Sequence, residues 1–359
     1  MRRPRVLSTL AATAALLVAG ASGGASAAPA STAAAKTRPH YVTLGDSYSA
    51  GNGAGAYVEK TCWRSPNNYG QRVATRQGAT HTTAACSGGV IDDILSPREL
   101  GSPTLRTRTY RVPVGAVDAR AQWLRQAKAD KLCGTPSQRD FSYTYSIRSS
   151  ASAGSLFTAT VRCQLVARPQ IDSVTTSTDA VFVTIGGNDL GFTTIATQCM
   201  ALRAAAGCKQ AIDAANAEIG TLKSRTKTVL KAVHARSGGR AEVYLLGYPH
   251  LINTRSHKLS STYDFGQELD RLQRRGDTAQ RAAMLELDRS TTGRGGFTFV
   301  DVKPDWGGYT HGIDPRPLAS QSNAWLVPIF GTGREFSEWV HPNAAGWGAS
   351  ALALYAAMR

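Results

Sequence analysis

Four short, almost unbroken apolar runs constrain the architecture available to this chain: Tyr41 to Leu44, Ala180 to Ile185, Ala241 to Leu246 and Phe297 to Val302. A strand with one wet face alternates polar and apolar residues. A run that is apolar throughout belongs to a strand covered on both faces, as in parallel sheets. Helix-like stretches occur at about 209 to 236, 266 to 290 and 343 to 358, each with apolar residues three and four apart. This alternation predicts an α/β fold, a doubly wound, flavodoxin-like parallel sheet with helices on both faces. The segment from Ser96 to Arg168 breaks the rhythm. It holds a predicted helix near Ala116 to Lys131, then two alternating runs, Phe141 to Ile147 and Leu156 to Arg162, around a Ser/Gly cluster. That pattern predicts a β-hairpin within an insertion at about 96 to 168, either a structural decoration or a flap over a site.

The N-terminus has the layout of an export signal. Arg2, Arg3 and Arg5 precede an apolar stretch from Val6 to about Gly20, and Ala25-Ser26-Ala27 offers a small-residue cleavage site. A signal peptide over 1–27 is expected, with a secreted, extracellular product. The Arg2-Arg3 pair suits twin-arginine export poorly, because Pro4-Arg5 follows it, so general secretion is the better reading. No later segment holds 18 uncharged apolar residues, so the mature chain is expected to be soluble. Residues 28–38 read as a disordered lead-in and 39–359 as one domain with an insertion. That length suffices for one large core or two modest ones.

The net charge is +16, or about +13 without Arg2, Arg3 and Arg5. No run of five Lys/Arg and no recognisable nucleic-acid module is present. A solvated basic surface is therefore expected, without a nucleic-acid partner but with a modest preference for anionic lipid or cell-wall surfaces. The six cysteines form no Cys-x-x-Cys pair, and no His/Asp/Glu cluster suggests zinc. In an exported chain this implies disulfides, no metal and no cofactor. Six cysteines allow fifteen pairings.

The chemistry concentrates at Gly45-Asp46-Ser47-Tyr48-Ser49-Ala50-Gly51, directly after the first apolar run. A serine at a strand's C-terminal end can project into the crevice where open α/β sheets bind ligands. Alone, Gly-Asp-Ser is equally an Asx or Ser turn. Three further segments change its weight: Cys86-Ser87-Gly88-Gly89-Val90, Gly186-Gly187-Asn188-Asp189 and His341-Pro342-Asn343. In this order the four resemble the motif blocks of the SGNH hydrolases, or GDSL lipases and esterases, and their wider contexts are similar to secreted actinobacterial lipases. The resemblance covers residues 41–95 and 170–200 well and the last 60 more loosely.

The resemblance implies a serine esterase or lipase acting on carboxylic esters. Ser47 would be the nucleophile and His341 the general base. The oxyanion hole would be formed by the Ser47 and Gly88 N–H groups and the Asn188 side-chain amide, with Gly187 letting the chain turn so that Asn188 faces the crevice. Gly89 is an alternative to Gly88. Many relatives carry Asp three residues before the histidine; this chain has Glu338, so either its carboxylate or its backbone carbonyl would orient the ring. Asp46 and Asp189 read as structural groups bonding turn or loop N–H groups, and Asp92 and Asp93 as caps of the helix after the Gly88 loop. Secreted lipases of the family are similar in having three disulfides, and the cysteine clustering suggests Cys62–Cys86, Cys133–Cys163 and Cys199–Cys208.

The family resemblance decides the bond type and not the molecule. Export and apolar residues lean toward lipid acyl esters, with a carbohydrate or small-ester deacetylase as the alternative. A third reading is a non-catalytic surface-binding protein on a hydrolase scaffold. Trp306, Tyr309, Trp325, Leu326, Val327, Ile329 and Phe330 are either ordinary core or the lining of an acyl groove. A monomer without an obligate protein partner is expected.

Overall fold

The computed structural model describes residues 38–359. The signal peptide expected over 1–27, and the lead-in as far as residue 37, lie outside the described residues. In chain order the elements are β1 (His40–Gly45), α1 (Ser47–Ala50), α2 (Tyr69–Gln77), β2 (Thr80–Thr83), β3 (Arg98–Arg111), α3 (Ala119–Ala129), β4 (Phe141–Ala153) and β5 (Leu156–Ala167). They continue with β6 (Ala180–Thr184), α4 (Phe192–Ile195), α5 (Ala205–Arg236), β7 (Glu242–Leu246), α6 (Phe265–Ser290), β8 (Phe297–Val300) and α7 (Ala344–Ala357).

Five strands form a parallel sheet in the order β2-β1-β6-β7-β8. This is the flavodoxin-like order expected from the sequence. All five residues of β6 are buried, as are five of six in β1 and four of five in β7. Each aliphatic side chain taken fully out of water there contributes about 1.5–3 kcal/mol, and helices must cover both faces to achieve it. α2 packs against α7 and α5 against α6, and the rule that parallel crossovers are right-handed places the two pairs on opposite faces of a sheet of this order. Inside α7, the buried Trp347 donates its indole N–H to the Asn52 carbonyl at 3.0 Å. The last helix is thereby pinned to the loop that follows α1.

Two elements escape the apolar-run logic. β2, Thr-His-Thr-Thr, is an edge strand whose residues alternate exposed and half-buried, so it needs no apolar content. β3 carries Gly101, Pro103 and several arginines, yet pairs antiparallel along β5, with an irregularity between Leu100 and Thr104. The expected hairpin is β4 and β5, longer than the two apolar runs, and β3 completes a three-stranded sheet in the order β3-β5-β4.

The insertion is thus a lobe with its own small core. Trp123 of α3 is fully buried with Val112, Phe157, Val161 and Cys163, and its indole N–H donates to the Arg108 carbonyl at 3.2 Å. The Cys133–Cys163 disulfide ties the chain after α3 to β5. At the root of the lobe, Leu100, Phe141 and Ala167 pack with the Cys62–Cys86 disulfide. The third disulfide, Cys199–Cys208, joins the turn after α4 to α5.

Candidate active site

In a sheet of this order the crevice lies outside the carboxyl ends of the strands, where neighbouring crossovers leave on opposite faces. Here that point falls between β1 and β6. The turn after β1 carries Ser47 and the turn after β6 carries Asn188. Asp46 caps α1 by accepting the Tyr48 N–H at 2.8 Å, so Ser47 is the first residue of a one-turn helix.

Ser47 donates its hydroxyl proton to His341 Nε2, with Oγ and Nε2 2.7 Å apart. His341 Nδ1 lies 2.8 Å from the Trp339 carbonyl, which can only accept; the proton therefore sits on Nδ1 and Nε2 is left free to receive one. Val340, between them, has φ +60°, a left-handed conformation costly for a β-branched residue. It is held by its N–H donating to the Val327 carbonyl and by the Tyr48 hydroxyl donating to its own carbonyl. This strained step folds the Trp339 carbonyl back onto the imidazole.

Of the two roles expected of Glu338, the carboxylate does not face the ring, and the carbonyl acts on it only second to that of Trp339. Its carboxylate accepts from the Tyr57 hydroxyl, from Arg334 at 2.6 Å and from the Glu335 N–H at 3.1 Å. Its carbonyl accepts the backbone N–H of His341 at 3.2 Å and, less strongly than the Trp339 carbonyl, favours the protonated ring. Its bonds to Tyr57, Arg334 and the Glu335 N–H hold the carboxylate away from the ring, and the carbonyl one residue later takes its place.

Gly88 lines the cleft with φ +74°, a conformation suited to glycine, and its N–H has no acceptor among the described residues. Gly89 differs: its N–H is committed to the Cys86 carbonyl at 2.9 Å. Asn188 donates one amide hydrogen to the Gly89 carbonyl at 2.8 Å, which leaves the other for the cleft. The left-handed step that aims Asn188 falls at Gly186, φ +107°, one residue earlier than Gly187.

Further contacts lock these loops together. Arg98 donates to the Ser87 carbonyl at 2.7 Å while pairing with Asp93 at 3.1 Å. Because a trans peptide points its C=O and N–H in opposite directions, this bond orients the Gly88 N–H. Asn52 donates to Ser87 Oγ and to the Ser337 carbonyl. Asp189 accepts the Ile91 N–H and pairs with Arg225 at 2.8 Å. Asp93 accepts the Val90 N–H at 2.9 Å, as a cap does, whereas Asp92 pairs with Arg225. Asn52 directly follows the first block, Arg98 lies eight residues beyond the second, and the Trp339 carbonyl is backbone; only the adjacency of Asn52 to the first block hinted at any of the three.

Burial sets the electrostatics. It lowers the His341 pKa to about 4 against the opposing pull of the Trp339 and Glu338 carbonyls, so the imidazole is neutral at physiological pH. Burial likewise raises Asp46 to about 7, although hydrogen bonds from Tyr248 and the Tyr48 N–H favour its charged form. Around the pair lies a cleft of about 640 Å³, counting the part open to solvent, with Phe192, Ile329, Phe336 and Trp339 among its walls. Of the seven residues considered for an acyl groove, only Ile329 lines it. Trp306, Leu326 and Val327 are buried core, Tyr309 stacks on His250, and Trp325 and Phe330 line other depressions. Among the described residues no group of three or more His, Cys, Asp or Glu is placed to hold a metal ion.

A flavodoxin-like sheet with these four blocks gathered at its switch point defines the chain as an SGNH-type hydrolase. The profile of the GDSL-like Lipase/Acylhydrolase family matches residues 101–347, a range that holds Asn188 and His341 and begins after Ser47 and Gly88. The chain belongs to that family and is a carboxylic ester hydrolase. It is 28% identical over 315 residues to a lipase of Streptomyces rimosus, covering 86% of this chain and 84% of that one. It is 27% identical to Lipase 1 of Streptomyces coelicolor, covering 96% and 95%. The crystal structure of the extracellular lipase from Streptomyces rimosus has a similar fold, with TM-score 0.58, 22% identity and coverage of 89% of this chain and 99% of that one. So does phospholipase A1 from Streptomyces albidoflavus, with TM-score 0.56, 22% identity and the same coverage.

Proposed function

We propose that the protein is a secreted, metal-independent serine lipase or esterase whose catalytic domain spans residues 39–359, following a signal peptide over 1–27. His341 Nε2 takes the Ser47 proton as Oγ attacks the ester carbonyl. The Ser47 and Gly88 N–H groups and the Asn188 amide hold the oxyanion, and the imidazolium then protonates the leaving alcohol. Water repeats the sequence on the acyl-enzyme. The Trp339 carbonyl orients the ring and accepts from its Nδ1–H throughout, so the site works as a dyad supported by backbone. The observation that carries this reading is the 2.7 Å Ser47–His341 hydrogen bond in a cleft also lined by Gly88, whose N–H has no acceptor among the described residues, and by Asn188, which keeps one amide hydrogen free of the Gly89 carbonyl. Apolar cleft walls and the lipase relatives favour lipid acyl esters, and three disulfides with extracellular relatives favour secretion.

The test compares the mature protein with Ser47→Ala on nitrophenyl esters from acetyl to palmitoyl, with and without EDTA. Activity that needs Ser47, ignores EDTA and peaks at medium or long chains is expected. A peak at acetyl would replace the lipid reading with a small-ester or carbohydrate deacetylase. Equal rates for the two proteins would refute Ser47 as nucleophile.

A further inference from the structure

The basic residues form no run, but their excess is concentrated in one segment that the fold makes into a separate lobe. Residues 98–168, the inserted lobe, hold twelve Lys/Arg against four Asp/Glu, net +8, whereas the other 251 described residues together carry only +4. Ten of the twelve are exposed, and none of those ten forms an ion pair among the described residues. A fold that needed them for stability would have paired them.

The same lobe exposes aliphatic side chains at its end farthest from the root. Val114 and Val117, in the β3–α3 connection, are 76% and 105% exposed, and Leu156, at the start of β5, is 44% exposed. These lie together: Val112 donates its N–H to the Ser155 carbonyl at 2.7 Å, and Arg111 pairs in register with Leu156. Twelve residues of β5, at about 3.4 Å each, put this tip roughly 40 Å along the sheet from the root. One face of the sheet is filled by α3. The other is uncovered and presents Leu105, Thr107, Thr109 and Arg111, with Thr107 and Thr109 bonded across the strands to Thr160 and Thr158.

We propose that this lobe is a docking arm for an anionic lipid bilayer: its cations meet the phosphate headgroups while Val114, Val117 and Leu156 enter the interfacial layer. Cations with exposed aliphatics are the combination that binds such a surface, since attraction to lipid phosphate and burial of apolar area add. A soluble polyanion would use the charge and leave the valines in water. The inference rests on the lipid-ester reading and deepens it by naming the surface at which substrate is met. No catalytic group takes part, so docking and hydrolysis are separable.

The experiment uses the full mature chain carrying Ser47→Ala, so that vesicles survive, and measures co-sedimentation with phosphatidylcholine vesicles with and without phosphatidylglycerol. Binding that needs phosphatidylglycerol and weakens with salt is expected. Each cation near the surface strengthens binding by about fivefold, so Arg108→Gln/Arg111→Gln/Arg120→Gln should weaken it about a hundredfold. Val117→Ser should weaken it at all salt concentrations. In chains that retain Ser47, both variants should hydrolyse a soluble acetyl ester at the unsubstituted rate, which shows that the fold is kept and separates a failure of docking from a failure of the esterase reading. Equal binding to both vesicle types, or undiminished binding by the triple variant, would overturn the proposal. Retention on phosphate-rich wall polymer without binding to vesicles would overturn it in favour of that polymer.

Discussion

Glu338→Gln tests the support of the imidazole most directly. Where a buried carboxylate orients the catalytic histidine, exchange for the amide lowers kcat about 10⁴-fold, because the wrong tautomer is then favoured. That equals about 5.4 kcal/mol at 1.36 kcal/mol per decade. Here the Glu338 side chain never reaches the ring: Nδ1 faces the Trp339 carbonyl at 2.8 Å, and the carboxylate is engaged by Tyr57, Arg334 and the Glu335 N–H. The substitution removes one charge-assisted bond to Arg334, worth about 1.5–3 kcal/mol if fully desolvated. The Arg334 side chain is 37% exposed, so solvent screening leaves the lower end of that range. The melting temperature should fall by a few degrees, and kcat/KM on a medium-chain nitrophenyl ester by less than about tenfold. A fall in kcat of about a thousandfold or more, with melting little changed, would refute the backbone-supported dyad and return Glu338 to the ring.

Asn188→Ala should lower kcat by about 10²–10³ with little change in KM, as loss of one oxyanion donor does; steady-state kinetics on a soluble ester decides it, and an unchanged kcat removes Asn188 from the hole. Arg98→Gln should reduce kcat on the order of tenfold at constant KM, with part restored in Arg98→Lys, because the Ser87–Gly88 peptide loses its charged anchor; a change in KM alone would contradict this positioning role. The base works deprotonated and burial holds His341 near 4, so kcat/KM should stay level from neutral pH down to about 5 and decline only toward 4; an acid limb centred near the ordinary imidazole value would show that the ring is not desolvated. Cys133→Ser/Cys163→Ser removes a bridge across 30 residues, worth about 3–4 kcal/mol to the lobe. Proteolysis should then cut the lobe first while soluble-ester hydrolysis persists, and simultaneous loss of both would mean that the lobe is not an independent unit.

The sequence by itself determined the sheet and the candidates for its chemistry. Runs such as Ala180–Ile185 are legible because a strand covered on both faces must be apolar throughout, and the four motif blocks are contiguous in the chain. Elements without such a requirement stayed hidden: β2 at the edge is all polar, and β3 pairs along β5 despite Gly101, Pro103 and its arginines, because strand pairing there is made by backbone groups. Tertiary structure alone decided that Ser47 and His341, 294 residues apart, share a hydrogen bond. It also decided that Trp339 and not Glu338 faces the ring, since a left-handed step at Val340 aims one carbonyl and no residue type announces it. The same holds for the surface. The excess charge of residues 98–168 can be counted in the sequence, but its ten exposed cations come to share one surface only when β3, α3, β4 and β5 are brought side by side, because an electrostatic field depends on distances in space and not on order in the chain.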